Sequence, residues 1–242
     1  MDIGRAISFV FEDENWISKI LLGALILLIP FFGPLAISGY VIATVRNVMA
    51  GQPRPLPEWS DLGRNFVDGL MVWLAGVIYA LPAIILACPV GLVWLLPVLG
   101  GQNQDVQGML TGLAGLLSAG GVCLLVLYAL LLSLVTPALL LQYAAHGSLG
   151  ACLRVGDVLR LLIRNIGQII LILLIIFGLS LAAGLVVSAV GGMIGWIPFI
   201  GWLIGAGLSL ASLPISVWTM LVQGHLLGQV GRQDSELGAH LL

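Results

Sequence analysis

Few residues in this sequence combine the type and the spacing that catalysis or metal binding requires. Cys88, Cys123 and Cys152 are widely separated in apolar surroundings, without the close Cys and His pairs that zinc sites use. The three histidines are isolated from one another; they are His146, His225 and His240. The sequence also lacks a His-Glu-x-x-His motif, a phosphate-binding glycine loop and a plausible Ser-His-Asp set. We therefore predict a protein that is not an enzyme, with no catalytic residues, no cofactor and no metal.

The remaining ionisable candidates favour positions at the membrane surface. Asp68 stands near the start of an apolar run, where an interfacial helix cap is a better interpretation than a proton relay. Gln223 and His225, with Arg232 beyond them, favour contact with lipid headgroups over ligand binding. The acidic run at 12–14 could bind a cation, but its pattern is more typical of a solvated cap. We predict no buried charge near the middle of the membrane.

Many hydroxyl and amide side chains lie inside the apolar runs. They are Ser118, Ser133, Thr136, Gln142, Ser180, Ser188, Ser209, Ser212, Ser216 and Thr219. Such residues could line a polar path, yet they more often form hydrogen bonds with their own helix backbone or a neighbouring helix. We interpret them as packing residues, and we keep a substrate path as the alternative.

Composition restricts the class of protein. Of the 242 residues, 60% are hydrophobic and 8% are charged, and the mean hydropathy is +1.14. Soluble domains carry roughly 25% charged residues, so this chain is predicted to reside in a membrane. The net charge of −2 provides no basic surface for nucleic acid.

Four apolar runs must be broken into shorter helices, because a spanning helix needs about 20 residues. The runs cover residues 16–50, 66–99, 109–145 and 166–227. Three related motifs occur: IPFFG at 29–33, LPVLG at 96–100 and IPFIG at 197–201. Pro interrupts helix hydrogen bonding and Gly permits turn angles, so the motifs predict three helical hairpins. The alternative is a set of Pro kinks inside long tilted helices.

The positive charges favour the hairpins. If the three motifs share one side of the membrane, every Lys and Arg falls on the other side: Arg5, Lys19, Arg46, Arg54, Arg64, Arg154, Arg160, Arg164 and Arg232. Lys and Arg in short loops stay in the cytoplasm. We therefore predict six segments in the cell inner membrane, with both termini cytoplasmic. A five-segment arrangement, with 16–50 as one helix, would put Arg5 and Lys19 opposite the other seven.

Segment lengths leave two points open. Residues 17–29 and 34–46 are short, so the first hairpin is either re-entrant or crosses thinned lipid with Lys19 and Arg46 reaching the surface. The second hairpin is long, which suggests that Cys88-Pro89 ends one span.

Interfacial segments precede the hairpins. Residues 2–10 form an amphipathic helix, although Phe9 falls on its polar side. Before the third hairpin, a charged stripe opposes an apolar one: Arg154, Asp157, Arg160 and Arg164 against Cys152, Val155, Leu159, Leu162 and Ile163. Before the second, Pro53, Pro55 and Pro57 force an extended approach to a short helix whose apolar face is Trp59, Leu62 and Phe66. One transmembrane domain, 1–242, is predicted, with pseudo-repeats at about 1–50, 51–145 and 146–228 and a polar tail at 229–242.

A family resemblance rests on motifs in the first third of the chain. They are Phe11-Glu12-Asp13-Glu14-Asn15-Trp16, Lys19, Ile29-Pro30, Gly33-Pro34, Gly39-Tyr40, Leu56-Pro57-Glu58-Trp59, Asp68-Gly69 and Leu81-Pro82. They resemble the prokaryotic membrane family called domain of unknown function 4013; the remainder of the chain is similar to it only in hydropathy. The resemblance implies a membrane location and no known activity.

These observations together predict an all-α polytopic integral membrane protein, with about six segments in three hairpins and interfacial amphipathic helices. We expect a non-enzymatic accessory or scaffold, and the alternative is a transporter or lipid-handling protein. The expected partners are membrane lipids, and other membrane proteins or a second copy of the chain, but not nucleic acid.

Overall fold

The computed structural model describes residues 1–99, 101, 103–194 and 200–234, and within these the regular secondary structure is helical. The α-helices are α1 (Ile3–Ser8), α2 (Trp16–Leu27), α3 (Phe32–Met49), α4 (Leu62–Leu92), α5 (Leu96–Leu99), α6 (Gln104–His146), α7 (Leu149–Cys152), α8 (Val155–Arg164), α9 (Ile166–Ile194) and α10 (Ile200–Gln233). Short 3-10 turns occupy Phe9–Glu12, Trp59–Asp61 and Val93–Leu95. The all-α class is confirmed.

Four helical stretches are long and apolar enough to cross a membrane among the described residues. They are Trp59–Leu99, Gln104–His146, Ile166–Met193 and Gly207–Gln233, with mean hydropathies from 1.3 to 3.0. A shorter apolar helix covers Trp16–Leu27. A spanning helix needs about 20 residues, so these four stretches are compatible with a membrane protein.

The chain forms two compact units. The first contains Met1–Trp73 and Pro137–Leu242, and the second contains Leu74–Thr136. The predicted repeat boundaries stay a prediction.

In the first unit, α3 lies at the centre and α10 packs along it. The core joins these helices to the N-terminal segment and to α2; its buried members are Phe9, Val10, Ile20, Ile37, Tyr40, Val41, Leu56, Val217 and Leu221. Phe9 is 1% exposed, so its predicted polar-side position is wrong. The reason is that the turn after α1 points its ring inward, where it stacks on His225.

In the second unit, α4 and α6 contact each other. Ala75 and Ala114 are fully buried, and the Tyr128 hydroxyl donates to the Tyr79 carbonyl at 2.6 Å. Most large apolar side chains remain exposed. This unit therefore leaves an extensive apolar surface uncovered by its own residues.

The Pro-Gly motifs differ in what they form. At IPFFG the chain turns between α2 and α3, and Phe31 has a φ of +62°. At LPVLG, Leu96–Leu99 is a helical turn, α5, so the reversal does not lie within the motif before Gly100. Residues 195–199, which carry most of IPFIG, lie outside the described residues.

One further prediction about local structure needs correction, and the structure adds detail to another. Pro82 and Pro89 both lie inside α4, so Cys88-Pro89 does not end the helix, in line with the tolerance of apolar helices for Pro. In α8 the buried stripe is Val158, Leu161 and Leu162, and three residues of the predicted apolar stripe are exposed: Val155, Leu159 and Ile163. The interfacial position of α8 stays a prediction.

Candidate functional site

Charged residues of the first unit form several separate ion pairs. The first of them is centred on Lys19, on α2. Its ammonium lies 2.8 Å from an Asp13 carboxylate oxygen and 2.6 Å from a Glu58 oxygen, and the residue is 5% exposed. The Lys19 carbonyl accepts a hydrogen bond from the Trp59 indole at 2.9 Å. Two carboxylates therefore bind Lys19 within the fold, a pairing that the sequence analysis did not predict, and the choice between a re-entrant and a spanning first hairpin stays open.

The acidic run at 12–14 is divided by this arrangement. Glu12 and Glu14 are exposed, and Glu14 pairs with Arg54 at 2.9 Å. Asp13 is not a solvated cap as predicted. Burial opposes ionisation of its carboxyl, but the hydrogen bond and charge of Lys19 outweigh burial and lower the pKa of Asp13. Asp13 therefore holds the start of α2 as a carboxylate.

The proline-rich segment between α3 and α4 is attached to α3. The Tyr40 ring stacks on Trp59 with centroids 3.9 Å apart, and its hydroxyl donates to the Pro57 carbonyl at 2.7 Å. The Asn47 side-chain amide donates to the Pro55 carbonyl at 2.9 Å. The extended backbone imposed by the prolines leaves these carbonyls free to accept such bonds.

A second ion pair joins Arg46 on α3 to Asp68 on α4. The Tyr143 hydroxyl, on α6, donates to the other Asp68 oxygen at 2.9 Å, and the Arg46 Nε donates to the Ala144 carbonyl at 3.2 Å. Asp68 is 8% exposed. Asp68 lies inside α4 in an ion pair and does not cap the helix, so its interpretation as a cap is wrong. The absence of charge near the middle of the membrane stays a prediction. We call Arg46, Asp68 and Tyr143 the Arg46 cluster.

Two glycines bring α3 and α4 close enough for this pair to form. A Cβ on Gly39 would lie 1.7 Å from the Asn65 carbonyl oxygen, and a Cβ on Gly69 would lie 1.8 Å from the Leu35 carbonyl oxygen. Real Cβ atoms do not approach backbone so closely, so both positions require glycine. The residue pairs Gly39-Tyr40 and Asp68-Gly69, quoted above for the family resemblance, thus meet at one helix crossing.

A third ion pair joins Arg164, the last residue of α8, to Asp234, which directly follows α10. The Arg164 guanidinium binds Asp234, whose side chain is 1% exposed. The Asn165 amide donates to the same carboxylate at 2.8 Å, and Gln168 donates to Gln233 at 3.3 Å. These bonds fix the end of α10 to the junction between α8 and α9.

The predicted headgroup residues near the end of α10 contact the N-terminal segment. His225 is 4% exposed and stacks on Phe9 at 4.4 Å. Gln229 forms hydrogen bonds with His225 and with the Asp2 backbone. Arg232 is exposed, and Gln223 lies apart from these residues, against a cleft between α9 and α10.

Most hydroxyl residues of the apolar helices bond to their own helix, line the cleft between α9 and α10, or do both. Six donate to carbonyls of their own helix, as the packing interpretation expects: Ser133, Thr136, Ser209, Ser212, Ser216 and Thr219. Of these, Ser212, Ser216 and Thr219 also line the cleft. The α9–α10 cleft has a volume of about 560 Å³. Its polar lining is Ser180, Ser188, Ser212, Ser216, Thr219 and Gln223. Ser118 and Gln142 are buried elsewhere.

The cysteines and histidines form no shared site in the described part of the chain. Cys88 and Cys123 are exposed on their helices, and burial raises the pKa of the Cys152 thiol to about 11. Among described residues, no group of three His, Cys, Asp or Glu could hold a metal ion. His146 contacts the Gln142 carbonyl, and His240 lies outside the described residues.

The apolar helices and ion-paired ends are those of a helical protein compatible with a membrane location. The family described as "Protein of unknown function (DUF4013)" matches residues 22–196, so the chain belongs to that family. The match extends well beyond the first third of the chain. The comparisons with curated proteins and with solved structures return no match.

Proposed function

We propose that this chain is a six-segment protein of the cell inner membrane, with both termini cytoplasmic and α2 and α3 as its first hairpin. Support comes from contacts between basic stretches that are far apart in sequence. Asp2 forms hydrogen bonds with Gln229, and Arg164 pairs with Asp234. Under the positive-inside rule, such neighbouring basic stretches belong in one aqueous compartment.

Its role, in this proposal, is that of a non-enzymatic accessory or scaffold. The observation that carries it is the pairing of the charges: Lys19, Arg46 and Arg164 each bind a carboxylate from another segment of the chain. Lys19, Asp68 and Asp234 are buried in these pairs. A buried ion pair within a fold fixes the register of its helices, whereas a catalytic centre leaves its charges facing a substrate cleft. The strong polar interactions here hold helices together.

The second unit offers the scaffold's contact surface. From Gln104 to Thr136, α6 contributes 33 residues, or about 50 Å at 1.5 Å per residue. Fitting this length into about 30 Å of hydrocarbon would need a tilt of about 53°, beyond the usual range of 0–40°. Between 74 and 136 the only charged residue is Asp105. We call the Gln104 end of α6 the tip. The partner proposed for the tip is an apolar helix of another membrane protein.

Photocrosslinking in intact cells tests this contact. A photoreactive phenylalanine analogue replaces Met109 or Leu116, which are 70% and 75% exposed near the tip. Leu127, 58% exposed further along the same helix, is the matched control. The tip positions should give protein adducts identified by their peptides, and Leu127 should give lipid adducts. Adducts with a second copy would make the scaffold a homo-oligomer, and lipid adducts at all three positions would refute the contact.

The α9–α10 cleft favours a second candidate function, the handling of lipid. The cleft lies between two of the four stretches long enough to span, and no charged residue lines it. An uncharged acyl chain suits such a space, since Ser and Thr present small side chains already bonded to their own helix.

Filling the cleft tests that function. Ser216→Phe should lower the labelling of α10 by a photoreactive acyl-chain lipid several-fold. Ser209→Phe, on the same helix but outside the cleft lining, should not. Equal labelling of both variants and the parent would refute a lipid site in the cleft.

A further inference from the structure

A separate polar pocket of about 530 Å³ lies between the N-terminal segment, the loop after α3 and the C-terminal half of α10. Its polar lining includes Arg5, Arg232, His225, Gln229, Gln52 and Asp2. We call it the Arg5–Arg232 pocket. It is distinct from the ion pairs described above, because none of their members lines it.

The two arginines of the pocket have no carboxylate partner within the described residues. Asp2 is the one acid in the lining, and its Oδ1 accepts the Arg5 backbone N–H at 2.9 Å as the cap of α1. The Arg232 guanidinium carbon lies 3.3 Å from the position that a Cβ on Gly51 would occupy. Gly51 has a φ of +71°, so its backbone both turns the chain and leaves room for that guanidinium.

His225 adds a buried donor whose proton can be assigned. The Gln229 oxygen accepts from the Asp2 N–H at 2.6 Å, and the Gln229 nitrogen donates to the Asp2 carbonyl at 2.9 Å, which fixes the orientation of the amide. The second hydrogen of that nitrogen therefore points to the His225 Nδ1, 3.1 Å away. A neutral imidazole that accepts at Nδ1 carries its proton on Nε2. Among the described residues, no acceptor contacts that nitrogen.

From this geometry we infer that the Arg5–Arg232 pocket binds a phosphate group. Arg5, Arg232, His225 and Gln52 all line this one space, and their side chains carry two guanidiniums, an imidazole and an amide that can donate hydrogen bonds. A phosphate has several charged oxygens that accept from such a set, and Arg binds them in bidentate geometry. The Asp2 carboxylate opposes the anion, but the two arginines outnumber it. The phosphate belongs either to a lipid headgroup or to a soluble ion, since both present the same oxygens.

Calorimetric titration of the purified full chain in detergent separates these sources. The probes are inorganic phosphate, dihexanoyl phosphatidic acid, and dihexanoylglycerol, which has the same chains without the phosphate. At least one phosphate-bearing probe should bind, and dihexanoylglycerol should not. Binding of phosphatidic acid alone assigns a lipid headgroup, and binding of inorganic phosphate assigns the phosphate group itself as sufficient.

Charge-neutral variants test the residues. Arg5→Gln and Arg232→Gln should each weaken phosphate binding about tenfold, because each removes a charged bidentate donor. His225→Phe keeps the stack on Phe9 and should weaken binding about threefold. Arg160→Gln changes an exposed arginine of α8 outside the pocket and should stay within twofold of the parent. The inference is overturned if neither phosphate probe binds, or if Arg5→Gln and Arg232→Gln bind as the parent does.

Discussion

Replacing Asp68 by Asn tests whether the Arg46 cluster holds α3, α4 and α6 together. The substitution keeps the side-chain shape and an acceptor for the Tyr143 hydroxyl, but it leaves the Arg46 guanidinium beside an uncharged amide. Removing one partner of a buried ion pair costs about 3–5 kcal/mol. The Arg46 side chain is 21% exposed, so water compensates part of this loss. We expect a loss of about 3 kcal/mol in the free energy of unfolding.

The assay is unfolding of the purified protein in mixed micelles by a denaturing detergent, followed by tryptophan fluorescence. The control is the double variant Arg46→Met with Asp68→Leu, which replaces both charges by apolar groups of similar size. It should stay within about 1 kcal/mol of the parent, since replacing both partners avoids an unpaired buried charge. An Asp68→Asn variant within about 0.5 kcal/mol of the parent would refute the reasoning. So would a double variant as unstable as the sum of its single variants.

Three further outcomes can be checked by unfolding experiments. Gly39→Ala should prevent stable folding, or cost at least about 3 kcal/mol, because its Cβ would overlap a backbone oxygen. At Gly76 an added Cβ would meet no atom of another part of the protein within 4 Å. Gly76→Ala should therefore stabilise the protein by about 0.5–1 kcal/mol, because Ala has the higher helix propensity. A similar effect at both positions would refute the close crossing of α3 and α4. The lowered pKa of Asp13 means that its pair with Lys19 contributes stability at neutral pH and loses it as the pH falls below the ordinary value of 3.8. Asp13→Asn should therefore flatten the stability profile between pH 2 and 6, and an unchanged profile would contradict the pairing.

The apolar framework could be predicted from the sequence because hydropathy acts over whole segments. The apolar runs near 166–227 correspond to α9 and α10, and the IPFFG motif does mark the turn between α2 and α3. Local composition also predicts α8, because its charges recur at helical spacing. These signals depend on neighbours in the sequence, which are the same in any fold.

The ion pairs could not be predicted because their partners are distant in sequence. Arg46 and Asp68 are 22 residues apart, and Arg164 and Asp234 are 70 residues apart. Each side chain taken alone fits an interfacial position, and only the helix crossing at Gly39 and Gly69 reveals the first pair. One signal was present in the sequence: Arg46 stands near the end of one apolar run and Asp68 near the start of the next. Burying two such charges as a pair costs less free energy than burying either alone.

The N-terminal contacts were missed for a related reason. A short amphipathic helix is typical of an interface, yet Phe9 and Val10 are buried against the first unit. The turn after α1 changes which face points inward, and helical periodicity does not report such a turn.

The central claim, six segments with all the basic stretches in one compartment, is tested most directly by cysteine accessibility. Asn103, Met193 and Ser60 are each replaced by Cys in a background without Cys88, Cys123 and Cys152, and intact cells are treated with a membrane-impermeant thiol reagent. Positions 103 and 193 should react from outside, and position 60 only after the cells are opened. Reaction of positions 103 and 60 from the same side would contradict the arrangement.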